Sequence, residues 1–410
     1  AMPQVERTAT RIAGFGSGEL DFQLMRSLGA ASYGGGVPGE VFYARGRIAD
    51  EDPAAWPPVF AGLAREVDSL GEAAARSGHG VSARDHYLRA AMYWRAAEYF
   101  TDPFSPDVRV YGLASRASFA AAIPFMADAV EPMRIPFEGV QLPGYFMQPA
   151  GRNPDAGPRP TVLIVTGFDG TSEELYFQAG RAALERGWNV AIAEGPGQMG
   201  TLRDHPELTF RPDYETPIAA MLDAVLARPE VDARRLALYG ISFGGYFALR
   251  AAAHDARIRA LVVNSPIVDL KRYMLGFLPE DARNTEHTED LPLAAVDEVP
   301  DDQFPRLQKH MFKAACRRFG VAGYHAWIDA LTPYTVQADL GRITCPALAL
   351  CGEGEGGEAL AQFETFCREA GGPVTRYAFT AQLGADMHCQ LGNLPLSNAV
   401  IFDWLQERLG

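Results

Sequence analysis

Six short apolar runs punctuate the second part of the chain: TVLIVT (161–166), NVAIAE (189–194), LALYG (236–240), RALVVN (259–264), PALALC (346–351) and TRYAFT (375–380). Runs of this length, rich in Val, Leu, Ile and Ala, suit strands buried on both faces. The stretches between them have helical spacing, so the pattern predicts an α/β fold with a mostly parallel sheet covered by helices on both sides. Upstream the period changes. In SARDHYLRAAMYWRAAEYF, Tyr87, Ala90, Ala91, Trp94 and Phe100 recur at threes and fours, which predicts an all-helical segment from about residue 18 to 128. MRIPFEGVQLPGYFMQP then sets two extended runs around Glu138 and Gly139, as a hairpin does. Between Ser265 and about Leu340 the alternation lapses into about 75 polar, aromatic and helical residues, read as a lid inserted over the C-terminal edge of the sheet. The expected organisation is a helical N-terminal cap domain over 1–128, an α/β core over 129–264 and 341–410, and a helical lid over 265–340.

One stretch of this framework carries chemistry. LALYGISFGG (236–245) sets Ser242 between glycines, after a predicted strand and before the helical FGGYFALRAAAHD. A strand, a sharp turn with small neighbours and a helix starting beside the serine make the setting of a nucleophile elbow. Gly240 and Gly244 leave room for a strained turn, and the helix start favours developing negative charge. A serine hydroxyl is a poor nucleophile at neutral pH, so it needs a base within hydrogen-bond reach and an acid to orient that base. With the chain order Ser, acid, His, only His388 follows the last predicted strand, in FTAQLGADMHCQLGN, and it is the expected base. His287 and His310 lie in the polar lid, where solvated histidines are expected, and His325 in GYHAWID is a candidate for the substrate pocket.

The acid is expected just past the penultimate strand, where CGEGEGGE offers Glu353, Glu355 and Glu358. A position on the turn a few residues after the strand favours Glu355, with Glu353 as the alternative and Asp386 as a rival beside His388. A glutamate stem there must fold back to reach the imidazole. An oxyanion hole takes one backbone N–H from the residue after the nucleophile, Phe243. The other comes from the loop after the first central strand, TGFDGTSEE, where Phe168 is favoured over Asp169.

Charge and composition narrow the partners. The chain has 410 residues, with 37 Lys and Arg against 51 Asp and Glu, a formal charge of −14 that opposes binding to nucleic-acid backbones or anionic membranes. No apolar stretch reaches the roughly 18 residues a membrane span needs, and the N-terminus lacks a basic region followed by an apolar one. Five cysteines, odd in number and without a C-x-x-C pair, are expected as reduced thiols, which points to a cytoplasmic protein. EGPGQMG (194–200) has neither phosphate-loop nor dinucleotide pattern and reads as a tight loop at the site's rim; no metal-ligand spacing occurs. No cofactor and no metal are expected. The partner is a small-molecule acyl substrate, and a homodimer is admitted as an assembly.

GFDGTSEELYF, EGPGQMG, FRPDYE, PEVDARRLALYGISFGGYFALRAAAHDARIRALV and GADMHCQLGNLPLSNAVIFDWL together resemble the α/β-hydrolase family that includes 2,6-dihydroxypseudooxynicotine hydrolase and the fungal Yg1-type polyketide-shortening hydrolases. The likeness extends to the helical SGHGVSARDHYLRAAMYWRAAEYF. It implies an α/β-hydrolase fold and a serine-dependent triad of Ser242 and His388 with an acid between them, in a cleft beneath the helical cap. It also implies hydrolysis of a carbon–carbon bond next to a ketone, or of an ester or lactone, in a bulky apolar or aromatic substrate. The chain departs from the family at the acid, where GEGEGGE stands in place of the usual aspartate. Two alternatives stay open: an acyltransferase or cyclase that uses the same acyl-serine, and a non-catalytic binding protein on a hydrolase scaffold.

Overall fold

The computed structural model describes residues 14–49, 52–151 and 153–410. Its framework is an eight-stranded sheet of β1 (Ala129–Phe137), β2 (Val140–Gln148), β3 (Arg159–Val165), β4 (Asn189–Ala193), β5 (Val231–Ile241), β6 (Ala260–Asn264), β7 (Ala347–Gly352) and β8 (Val374–Phe379), in the order β1-β2-β4-β3-β5-β6-β7-β8. β1 and β2 form a hairpin whose two turn residues, Glu138 at φ 44° and Gly139 at φ 83°, are both left-handed, the twist that a two-residue hairpin loop requires. β2 runs antiparallel to β4, and from β4 to β8 every pairing is parallel.

The strands match the apolar runs to within a residue or two, except at the start of β5. That strand begins at Val231 rather than Leu236, because Arg159 pairs with Val231 while Thr161 pairs with Leu236. The polar residues between bulge out, and Asp232 satisfies them by accepting from the Arg234 N–H and the Arg235 guanidinium. Hydropathy cannot see a strand continued through a bulge of charged residues.

Each buried strand sends alternate side chains to two cores. Leu163, Val165, Leu238 and Leu261 pack on one side against the helices Glu215–Leu226, Phe243–His254 and Gly357–Glu369. Val162, Ile164, Tyr239 and Val262 pack on the other against the helix Leu394–Leu409 and side chains of the N-terminal helices, including Phe22, Leu88 and Phe119. Both faces are covered, so β4, β6 and β7 are buried along their whole length and show no polar alternation.

Five helices, Gly18–Gly29, Pro38–Arg47, Trp56–Arg76, Gly80–Phe100 and Asp107–Ala122, precede the sheet and share a further apolar cluster around Trp56, Phe60 and Tyr93. Buried ion pairs tie this layer to the rest: Arg203 spans Glu98 and Glu173 at 2.7 Å each, and Arg26 meets Glu174 at 2.6 Å and Asp169 at 3.0 Å. Residues 265–340 contribute the helices Leu270–Leu275, Arg306–Phe319 and Tyr324–Ala330. Among the described residues no helix is long and apolar enough to cross a membrane.

Candidate active site

The turn after β5 puts Ser242 at φ 61° and ψ −127°, a conformation that non-glycine residues reach only under strain. Two features hold it. The Ser242 N–H donates to the Asn264 carbonyl at the end of β6, 2.8 Å away. The crossing behind is also tight: a Cβ on Gly244 would stand 2.5 Å from the Val165 carbonyl oxygen and 2.7 Å from that of Thr166. Only glycine lets the helix start approach β3 so closely.

The Ser242 Oγ lies 2.8 Å from Nε2 of His388, and the His388 Nδ1 lies 2.6 Å from Glu355 Oε1. His388 is on the loop after β8, and Glu355 is three residues past β7. The glutamate stem folds back on its own turn, where Glu355 Oε2 accepts from the Gly352 N–H at 2.6 Å and the Glu355 N–H donates to the Gly352 carbonyl at 3.1 Å. The structure therefore brings Ser242, His388 and Glu355 together. It does not bring the competing acids to the imidazole: Glu353 is exposed, Glu358 accepts from Gln362 at 3.0 Å, and it is Glu355 that meets His388 Nδ1. The Asp386 carbonyl accepts from the Gly354 N–H at 2.9 Å, holding the two loops together.

Both glutamate and imidazole are nearly sealed, and Phe22 of the first helix lies beside the His388 ring, with centroids 6.3 Å apart. Burial by itself disfavours the imidazolium. The Cys389 sulfur and the Glu355 carboxylate outweigh burial, so the proton affinity of His388 is raised. Burial and the same carboxylate push the Cys351 thiol up, which keeps it protonated.

Asn264 couples the serine's turn to the histidine's loop. Its carbonyl takes the Ser242 N–H, while its side-chain amide exchanges two hydrogen bonds with Gln390, 2.8 and 3.1 Å long. Sequence reasoning missed this buried amide pair. The available signal was a polar residue closing an apolar strand and another two positions after the expected base.

The loop after β3 is pinned from three sides. Gln198 donates to the Thr166 carbonyl at 2.6 Å, Arg95 to that of Asp169 at 3.3 Å, and Arg318 to that of Phe168 at 2.9 Å. Gln198 belongs to EGPGQMG, so that loop braces the site from beneath. With their carbonyls engaged outward, the residues of the β3 loop leave the Phe168 N–H without an acceptor among the described residues, as is the N–H of Phe243 at the helix start. Two free donors beside Ser242 suit a developing oxyanion.

Ser242, Phe168, Phe243 and His388 open on a cavity of about 860 Å³. Its far walls come from residues 273–327, with Phe277, Phe312 and Trp327 among them, and from the first helix through Glu19. Two histidines differ from expectation. His325 does not line the cavity; its Nε2 lies 3.3 Å from Thr288 Oγ1, and its neighbours Tyr324 and Trp327 face the cavity instead. His310, expected in solvent, lines the cavity and donates from Nε2 to the Tyr99 carbonyl at 2.9 Å. Burial, then the nearby Arg318, lower its pKa to about 4, so the ring is neutral. His287 is exposed, as a solvated histidine is.

The profile of the prolyl oligopeptidase family (Peptidase_S9) matches residues 183–296. "Hydrolase ORFZ" of Pyricularia oryzae is 37% identical over 294 residues, which cover 68% of this chain and 68% of that protein. "Hydrolyase poxO" of Penicillium oxalicum is 39% identical over 267 residues, covering 62% of each chain, so the match spans less than two thirds of that relative's length. Among solved structures, a 2,6-dihydroxy-pseudo-oxynicotine hydrolase superposes with a TM-score of 0.71 at 20% identity, over 93% of this chain and 95% of that one.

Proposed function

We propose, from the premise that this chain belongs to the α/β-hydrolase family, that it is a serine hydrolase with Ser242 as nucleophile, His388 as base and Glu355 as the acid that orients it. The observation that carries this reading is the unbroken chain from Ser242 Oγ to His388 Nε2 at 2.8 Å and from His388 Nδ1 to Glu355 Oε1 at 2.6 Å, at the mouth of a cavity large enough for a bulky substrate.

In the first half-reaction Ser242 Oγ attacks a substrate carbonyl while His388 Nε2 takes its proton. The Glu355 carboxylate stabilises the imidazolium across its short, buried hydrogen bond, where a low dielectric strengthens the interaction. The amides of Phe168 and Phe243 receive the oxyanion. His388 then returns the proton to the leaving group, and water releases the acyl chain from Ser242 by the same steps reversed. The walls contributed by Phe277, Phe312 and Trp327 favour an apolar or aromatic acyl compound. The bond cleaved is a carbon–carbon bond next to a ketone, or an ester or lactone.

A serine-directed fluorophosphonate probe tests the assignment. Wild-type protein is expected to become labelled at Ser242, with the label absent from Ser242→Ala. Folded wild-type protein that resists labelling would leave a binding role on a hydrolase scaffold as the better account.

A further inference from the structure

Beside the serine's cavity lies a second, much smaller pocket of about 50 Å³, several times the space that one water needs. It shares Tyr99, His310, Ala314 and Arg318 with the larger cavity, and its lining holds four arginines and a single carboxylate. That carboxylate is Glu98, and Arg203 occupies both of its oxygens, at 2.7 and 2.8 Å. Arg203 also donates to Glu173 at 2.7 Å, so all three of its nitrogens are engaged by carboxylates. Arg109, Arg317 and Arg318 remain. Arg109 directs its Nε to the Arg203 carbonyl at 2.8 Å. Arg318, 4% exposed, donates to neutral acceptors, the Phe168 carbonyl at 2.9 Å and the Met199 sulfur at 2.8 Å. Asp169 attracts Arg318 and Glu207 attracts Arg317, yet each acid has a nearer partner: Asp169 meets Arg26 at 3.0 Å, and Glu207 lies 3.7 Å from His205. Burial lowers the proton affinity of both Arg317 and Arg318, but an arginine keeps its charge at ordinary pH. The other titratable groups of the lining add no negative charge: His310 is neutral, and the Tyr99 hydroxyl donates to Glu19 at 3.4 Å.

We infer that this pocket is a binding site for one small inorganic oxyanion of the phosphate class, held by Arg109, Arg317 and Arg318. A cleft lined by one sign of charge between low-dielectric walls concentrates the opposite ion, even in a chain whose formal charge is −14. Guanidinium groups present their donors in a planar fork that pairs with two oxygens at once, so an oxyanion suits this lining better than a halide, which offers a single centre. The volume admits a small ion and excludes a bulky acyl compound, so the ligand is distinct from the substrate of the larger cavity. The bound ion would supply the negative charge that three of the four guanidinium groups lack within the lining. It would also steady Arg318, which holds the carbonyl of Phe168 and belongs to the walls of both cavities. The inference concerns binding at a separate pocket and does not rest on the role assigned to Ser242.

Isothermal titration calorimetry on the full-length protein tests this, with inorganic phosphate compared against sodium chloride at equal ionic strength. The wild-type protein is expected to bind one phosphate saturably, with a Kd below about 10 mM and tighter than for chloride. Arg109→Gln/Arg317→Gln is expected to weaken phosphate binding by at least about tenfold. Arg109 is exposed and Arg317 half-buried, and neither belongs to the catalytic machinery, so the variant is expected to fold. Arg317→Lys keeps the charge and loses the fork; it should bind with intermediate affinity, and it covers the case in which the double variant fails to fold. Arg84→Gln/Arg234→Gln removes the same charge from other exposed positions and should leave the affinity within about twofold of wild type, which separates a local site from an effect of net charge. Absence of saturable binding to wild type, a loss of less than tenfold in the folded double variant, an equal loss in the Arg84→Gln/Arg234→Gln control, or tighter binding of chloride than of phosphate would each overturn the inference. No turnover is read, so the fluorophosphonate result decides the role of Ser242 separately.

Discussion

Glu355→Gln is nearly isosteric, yet the geometry leaves an amide no way to do what the carboxylate does. Glu355 Oε1 faces the His388 Nδ1 at 2.6 Å and Oε2 faces the Gly352 N–H at 2.6 Å, so both oxygens accept from donors. A glutamine offers one acceptor and one donor. If its NH2 turns to His388, the imidazole must take the tautomer that carries its proton on Nε2, and Nε2 can then no longer accept from Ser242. If its NH2 turns to Gly352, the backbone N–H loses its acceptor in a site that is 3% exposed, at a cost of about 1–3 kcal/mol in stability. Either way the negative charge that stabilises the imidazolium is gone. Forcing the wrong tautomer in a serine triad lowers kcat by roughly 1,000- to 10,000-fold, equivalent to about 4–5.5 kcal/mol at about 1.4 kcal/mol per decade. KM should change little, because Glu355 acts through His388.

The pH profile carries a second signature. A base must be neutral, so activity rises with pH through the pKa of His388, which burial alone would lower and which Cys389 and Glu355 raise. Without the carboxylate, the acid limb of kcat/KM should move to lower pH. Stability follows the same sign: the raised His388 pKa stabilises the fold below the unfolded value of about 6.5, and that contribution fades as pH climbs through the folded value, so the variant should lose stability mainly on the acid side. Steady-state kinetics against pH with the substrate found by probe competition would measure this. A Glu355→Gln enzyme within tenfold of wild-type kcat, or a larger loss in Glu353→Gln or Glu358→Gln, would refute the argument.

Other consequences are more local. Arg203→Met strands Glu98 and Glu173, 1% and 3% exposed, and should cost about 3–5 kcal/mol in urea unfolding, a loss that would fall below 1 kcal/mol if the pairs were idle. Gly244→Ala would drive a Cβ to within 2.5 Å of a backbone oxygen, so the turn at Ser242 must shift; fluorophosphonate labelling should slow more than tenfold and stability should fall by about 1–3 kcal/mol or more. His310 has a folded pKa near 4 against 6.5 unfolded, so the unfolded chain binds more protons between those values and stability should fall as pH drops through them. Its cavity-facing side moderates the effect to about 2 kcal/mol, and His310→Gln should flatten that part of the stability profile.

Hydropathy and short-range chemistry made much of this protein legible in the chain itself. The apolar runs located the strands to within a residue or two, because a strand buried on both faces must be apolar throughout, and β5 began five residues earlier than its run, where charged residues pair with one another in a bulge. LALYGISFGG announced the strained turn, since a glycine two residues before and another two residues after Ser242 are what that packing demands. Only the tertiary structure separated the acids of GEGEGGE. Glu353, Glu355 and Glu358 have the same chemistry and almost the same position in the chain; which one meets His388 depends on how the turn after β7 folds back on Gly352. The same holds for Arg317 and Arg318, adjacent in an ordinary amphipathic helix, of which Arg318 lines the cavity. Periodicity records which face of an element is buried; it does not record what that face meets when residues more than a hundred positions apart are brought together, and the pairing of buried charges is decided there.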